Sequence, residues 1–268
     1  MVREPAVAHQ FYPGDPNILQ ETLAGLIPAG PAKKQQALAV VAPHAGYVYS
    51  GAVAGETFAA VQIPRDIMVM GPNHHGYGAP LAMIREGSWN MPLGRVEINQ
   101  ELAGLLLAEA EAFTADSLAH QLEHSLEVQV PFLQYLRPDM TLTPLVISHL
   151  SLAACRETGL AIAGAIRRYH RPVLMVASSD MTHYESRQSA TAKDNLAMQH
   201  ILALDPEGLY RTVHERKISM CGVIPVTVAL IAALELGATR AELVRYTDSG
   251  ETSGDLSQVV GYAGFVIA

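Results

Sequence analysis

Val41-Ala42-Pro43-His44-Ala45-Gly46-Tyr47 places a histidine where an apolar run gives way to a glycine-bearing loop. Residues 37–41 behind it have the length and composition of a buried strand, and Gly46 and Gly51 ahead of it break the chain before a helical pattern resumes. The arrangement recurs twice. Residues 67–70 run into Gly71-Pro72-Asn73-His74-His75, and residues 173–177 run into Ser178-Ser179-Asp180-Met181-Thr182-His183. Short apolar strands alternating with helical patterns predict an α/β protein, in which ligands gather outside the carboxyl ends of parallel strands. If the three strands share a sheet, His44, His74, Asp180 and His183 converge.

The rest of the chain continues the alternation. Leu19, Leu23 and Leu26 recur at helical spacing after a turn-rich entry at residues 11–16; Pro31 and Lys33-Lys34-Gln35-Gln36 read as a polar link, and residues 52–61 as a crossover helix. Residues 81–84 and 95–98 read as short strands around a loop at Gly87-Ser88-Trp89-Asn90, followed by a helix over 99–113. Leu126, Val130, Leu133 and Leu136 share a helical face, with Pro131 either kinking that helix or opening its second half. A strand at 141–148 and helices at 152–169, 189–204, 206–215 and 223–236 precede strands at 242–246 and 259–267. No repeat or composition break marks a boundary. The expectation is one α/β domain over residues 1–268, with a central, mainly parallel sheet flanked by helices.

Composition narrows the function classes. A formal net charge of −8, with no basic block, argues against nucleic-acid binding, which needs clustered Lys and Arg. Two cysteines are too few for a disulfide scaffold and fit a reducing compartment. The start, Met-Val-Arg-Glu-Pro-Ala-Val-Ala-His, lacks the charged-then-apolar order of a secretory signal, so a cytoplasmic location is expected. The longest apolar run, residues 223–236, contains Pro225, Thr227 and Glu235 and falls short of the roughly 20 residues a membrane span needs. No Walker loop, Gly-x-Gly-x-x-Gly, Gly-x-Ser-x-Gly or Cys-x-x-Cys is present.

Metal ions favour neutral imidazole and thiolate donors on rigid backbone, and His44, His74 and Cys221 each adjoin an apolar element with a glycine within two residues. The alternative makes the histidines caps of the sheet edge and Cys221 a small buried residue at a helix start, where the amino end would favour thiolate. Asp180 and His183 suit an acid/base pair with the aspartate orienting the imidazole, or a helix cap at Asp180. Glu123, His124 and Glu127 fall in one predicted helical turn, lining the cleft or capping the core. His75 is expected to point away from His74, and Tyr47 and Tyr49 to line a pocket. Cys155 reads as core; His9, His120, His149, His170, His200 and His214 read mostly as surface.

Pro43-His44-Ala45-Gly46-Tyr47, Gly71-Pro72-Asn73-His74-His75, Glu123-His124-Ser125-Leu126-Glu127, Ser178 through His183, Cys221-Gly222 and Thr252-Ser253-Gly254-Asp255, in that order along nearly the whole chain, resemble the Memo family. The resemblance implies a single α/β domain similar to the class III extradiol dioxygenases, which are non-haem iron enzymes. It implies a metal site at His44, His74 and Cys221, with Asp180 and His183 close by. Those dioxygenases use two histidines and a glutamate; a thiolate in place of the hard carboxylate shifts preference toward copper, zinc or a differently tuned iron. The resemblance further implies AMMECR-type and radical-SAM protein partners in a redox pathway. Three functions follow as expectations. One is a metal-dependent oxidoreductase in which His183, oriented by Asp180, moves protons. Another is a module binding a small-molecule or peptide ligand in the metal cleft. The third is a thiol enzyme with Cys221 as nucleophile, His183 as base and Asp180 as orienter.

Overall fold

In the strands that lead to the three histidine loops, neighbouring residues face opposite sides of one sheet, and both sides are apolar. The computed structural model describes residues 1–29 and 34–268; Pro31 and Lys33 of the expected polar link lie outside them. Among the described residues the strands are, in chain order, β1 (Val2–Arg3), β2 (Ala39–Ala42), β3 (Asp66–Pro72), β4 (Leu81–Met83), β5 (Ser88–Met91), β6 (Gly94–Ile98), β7 (Thr114–Ala115), β8 (Thr141–Ile147), β9 (Val173–Ser178), β10 (His183–Glu185), β11 (Ala241–Asp248) and β12 (Val259–Ile267). The helices are α1 (Pro16–Leu26), α2 (Tyr47–Ala59), α3 (Gln100–Glu109), α4 (Val130–Leu136), α5 (Leu152–Tyr169), α6 (Arg187–Leu202), α7 (Pro206–Glu215), α8 (Val223–Glu235) and the single turn α9 (Gly250–Ser253).

The centre of the sheet runs β8-β3-β9-β2, all parallel, and β12 closes onto β2 antiparallel. Every residue of β2, β3 and β9 is buried, as parallel strands covered on both faces require. Their side chains alternate between two cores. Ala39, Val41, Met68, Met70, Met175 and Ala177 pack under α3, α5 and α8, whereas Val40, Ala42, Ile67, Val69, Leu174 and Val176 pack under α1, α2 and α4. The crossovers through α2, from β2 to β3, and through α5, from β8 to β9, are what parallel strands need, and each steps over one strand of the sheet. The expected α/β domain with a mainly parallel core, flanked by helices, is therefore present.

Local signals account for most boundaries. Asp15 caps α1 ahead of Pro16, Ser151 caps α5, and Asp205 caps α7 ahead of Pro206, each accepting a backbone N–H of the first turn. Pro131 stands in the first turn of α4 and so opens that helix. Two readings change. Helix α2 begins at Tyr47 and passes through Gly51 and Gly55, because these glycines serve packing: a Cβ at Gly55 would lie 2.2 Å from the Leu26 carbonyl oxygen. The expected loop at Gly87 to Asn90 is largely strand, since Ser88–Met91 forms an antiparallel hairpin with β6, while β4 pairs elsewhere, with β7 and β8.

The amino-terminal segment is fastened by a buried ion pair. Arg3, 4% exposed, meets the fully buried Glu127 at 2.7 Å, and the same carboxylate accepts Ala6 N, Val7 N and the Tyr12 hydroxyl. Removing one member of such a pair leaves the other charge buried and unpaired. Glu127→Ala is expected to lower the unfolding free energy by about 3–5 kcal/mol in denaturant titrations; a loss below about 1 kcal/mol would show that the network is not holding this segment.

Candidate metal centre

Strands β3, β9 and β2 are adjacent and parallel, with Ala42 level with Ser178 and Met70 level with Ala177, so the loops after them meet at one sheet edge. His44 and His74 come from the first two loops. Cys221 arrives from below α8, whose N-cap is Gly222. A Cβ at that position would stand 2.3 Å from the Ser178 carbonyl oxygen, so the glycine lets the helix start abut the end of β9 and bring the thiol in. One donor atom from each of His44, His74 and Cys221 then lies within 4.8 Å of the others.

The hydrogen-bond chemistry fixes which nitrogens carry protons. The single Ser178 hydroxyl proton goes to the Ser125 carbonyl at 2.6 Å, so Ser178 Oγ accepts from both Gln129 Nε2 and His44 Nδ1, each at 2.8 Å. His44 Nε2 is left with a bare lone pair, 3.3 Å from Cys221 Sγ. His74 repeats the arrangement: Nδ1 lies 2.8 Å from Glu123 Oε1, an acceptor, so Nδ1 carries a hydrogen and Nε2 is the ring nitrogen left for an ion. Glu123 also accepts the backbone N–H of His74 at 2.6 Å and of Ser125 at 2.9 Å. Burial opposes its ionisation, but these hydrogen bonds, led by the His74 ring, hold its carboxyl well below the usual range. Burial, reinforced by His124 and His74, keeps His44 neutral; burial and His74 likewise push His124 down to about 4. The His124 ring stacks on His74 at 4.6 Å and meets His44 edge-on at 5.5 Å.

Asp180 and His183 enter the same neighbourhood by different routes. Asp180 accepts the backbone N–H of His44 at 2.7 Å and donates its own N–H to Cys221 Sγ at 3.3 Å. Burial pushes its carboxyl up to about 6, against the pull of the His44 N–H and of His183. The His183 imidazole is oriented by Ser219, whose carbonyl accepts Nδ1–H at 2.9 Å while its hydroxyl accepts the His183 backbone N–H at 2.8 Å. Asp180 thus anchors the His44 turn, where an orienting contact to His183 was expected, and it caps no helix, since β10 follows.

Some of the other expectations are corrected and some hold. Glu123, His124 and Glu127 do not share a helical turn: Glu127 opens a separate 3-10 turn and faces Arg3 and Tyr12, away from Glu123. Burial, then the neighbouring Asp180, pushes the Cys221 thiol well above its ordinary range and overcomes any benefit of the helix start. His120 is buried, its Nε2 on the Ala82 carbonyl at 3.0 Å, so it is not a surface residue. His75 is exposed and stacks on Tyr77, as neighbours in an extended loop diverge. Tyr47 and Tyr49 line a pocket, as expected, although Tyr47 is buried with its hydroxyl on the Val128 carbonyl. Cys155 is core, and burial raises its thiol to about 11. Ser178, Gln129 and Ser219 were not singled out from sequence; Ser178 alone carries a signal, its place at a strand end.

A family model of the Memo-like protein matches residues 3–266. A MEMO1 family protein of Pyrobaculum arsenaticum is 41% identical over 98% of this chain and 97% of its own length. Relatives so described from Methanosarcina barkeri, 40% identical over 99% and 100%, and from Aquifex aeolicus, 39% identical over 99% and 98%, extend the match. Among solved structures, an uncharacterized Escherichia coli K12 protein superposes with a TM-score of 0.57 over 85% of this chain and 98% of that one, at 16% identity, a likeness of fold. With the match running nearly end to end, the chain belongs to the Memo family.

Proposed function

We propose that this chain is a metal-dependent oxidoreductase that holds a transition-metal ion with His44 Nε2, His74 Nε2 and Cys221 Sγ. The observation that carries the reading is one donor atom from each of two imidazoles and a thiol, all within 4.8 Å, with Nδ1 of both rings already held by other partners. An ion needs donors at about 2.0–2.3 Å, and three protein donors leave coordination positions open to substrate. Ser178 and Glu123 hold the opposite ring nitrogens, the support that fixes imidazole ligands in metal sites. Two imidazoles and a thiolate suit iron or copper, with zinc as a further fit. When bound, a redox-active ion supplies electron transfer to or from what occupies its open position. His183, half-buried and tethered through Nδ1, keeps Nε2 for taking or giving a proton. Asp180 holds the His44 turn in register with Cys221.

For the thiol-enzyme alternative, expected with His183 as base, the imidazole in contact with Cys221 is that of His44, at 3.3 Å, while His183 is held by Ser219. Burial weighs against it by holding the thiol up and the imidazole down, which disfavours the thiolate–imidazolium pair such a nucleophile needs. Both cysteines are unpaired, in keeping with a reducing, cytoplasmic setting, and among the described residues no helix is long and apolar enough to cross a membrane.

Metal analysis and calorimetry on purified protein are expected to give one ion per chain. Cys221→Ala and His74→Ala should weaken binding by more than about 100-fold, and Glu123→Gln by about 10 to 100-fold; an unchanged affinity in Cys221→Ala would remove the assignment. Because the thiol is protonated before an ion binds, binding should release about one proton near neutral pH, and affinity should rise about tenfold per pH unit. Calorimetry in two buffers of different ionisation enthalpy reads that proton directly. Bound ion should also shield Cys221 from alkylation, with Cys155 inert throughout. Fast labelling of Cys221 with and without metal would instead favour the nucleophile.

A further inference from the structure

Beside the proposed metal position a groove of about 770 Å³ lies between residues 9–13, the second half of α1 and the first turn of α2. Phe11, Tyr12, Leu26, Tyr47, Val48 and Tyr49 form most of its wall, and no Asp, Glu, Lys or Arg is among the described residues lining it. Tyr12 and Tyr47 are buried with their hydroxyls engaged elsewhere, at Glu127 and the Val128 carbonyl, so they back the groove while the accessible ring surface comes from Phe11 and Tyr49. Its volume is that of a small-molecule site. A charged ligand would lose water there without gaining a counter-charge, whereas a flat apolar group would exchange water for ring faces.

The groove is joined to the centre by Phe11. That half-buried ring packs 4.7 Å from His124, which stacks on His74, and the Phe11 carbonyl accepts Tyr47 N at 2.8 Å. The segment presenting Phe11 is a tight loop with His9 in the left-handed region at φ 67°, closed by His9 N to Tyr12 O and Phe11 N to Val7 O. A non-glycine residue held there marks a loop whose surroundings fix its shape, a feature common at ligand sites.

We propose that this groove is a binding site for a neutral molecule carrying a flat, apolar group, an aromatic ring system above all, seated against Phe11 and Tyr49 one side chain away from His124. Binding itself needs no metal; only its role as the substrate's place rests on the function proposed above.

The test uses two probes with one skeleton, neutral N-phenyl-1-naphthylamine and its sulfonated counterpart 8-anilinonaphthalene-1-sulfonate. Both are titrated by fluorescence into chelator-treated and zinc-loaded protein, with zinc content measured on the same samples. The neutral probe is expected to bind saturably, one per chain, about tenfold or more tighter than the sulfonate. Val48 is 69% and Tyr49 43% exposed, so substitutions there leave the core intact. Val48→Asp should weaken the neutral probe about tenfold and Tyr49→Ala severalfold, while Val48→Ala keeps it, with unfolding midpoints near wild type. Absence of saturable binding, a sulfonate bound as tightly, or affinities indifferent to both Val48→Asp and Tyr49→Ala would overturn the proposal. Probe binding by protein that takes up none of zinc, copper or iron in parallel loadings would sink the metal reading alone, and metal binding without probe binding the groove alone.

Discussion

The buried carboxylate of Glu127 is the contact on which the arrangement of the centre depends. Its oxygens accept from Arg3, Ala6 N, Val7 N and the Tyr12 hydroxyl, which fastens the amino-terminal segment to the loop before α4. Arg3 carries the link further, donating to the carbonyls of His120 and Glu123 and lying 4.2 Å over the Trp89 ring. One ion pair therefore positions both Phe11, on one chain segment, and Glu123 with His124, on another. A carboxylate this buried is tolerable only with all its partners present, so the two segments hold their places together or not at all.

Rigid strand ends alone would not make a metal centre, because an imidazole can offer either nitrogen. Selection comes from acceptors behind each ring: Ser178, whose own proton is committed to Ser125, and Glu123, which the Ser125 backbone N–H helps to keep ionised. Ser125 thus stands behind both histidines, by its carbonyl for His44 and its N–H for His74. The two lone pairs are aimed by one short turn, a preorganisation that loops without such support do not achieve.

How much of this was legible in the sequence depends on how local each cause is. Apolar runs ending in Pro-His, Asn-His and Ser-Ser-Asp pointed to the parallel strands and to the convergence of His44, His74, Asp180 and His183, because burial on both faces and strand polarity are written in consecutive residues, whereas Cys221 was legible only from its place beside an apolar helix and from the family resemblance. The Glu123 to Glu127 spacing misled, since the Glu123 carboxylate bonds the N–H two residues on, an alternative to helix that spacing does not reveal. Ser219 and Gln129 left no local trace; their partners His183 and Ser178 lie 36 and 49 residues away. For Cys221 the helix-start argument left out burial, the leading cause of its raised thiol, because burial depends on packing around α8 that one chain segment cannot specify.

The segment Ser219 to Cys221 joins the two halves of the chemistry. Ser219 grips His183 through both its carbonyl and its hydroxyl, and two residues later Cys221 meets His44 and the Asp180 backbone N–H. Asp180 in turn holds the His44 backbone through its carboxylate. These contacts form a chain of short links, His183 to Ser219 to Cys221 to Asp180 to His44, closed at its far end by the His44 to Cys221 contact, with Gly222 pressing its base onto the end of β9. A displacement of the thiol by even a few tenths of an ångström has no slack to absorb it, because packed contacts shift together or not at all. Whatever fixes Cys221 therefore also fixes the register of His183, so the proposed thiolate ligand and the proposed proton carrier answer to the same segment, Ser219 to Cys221.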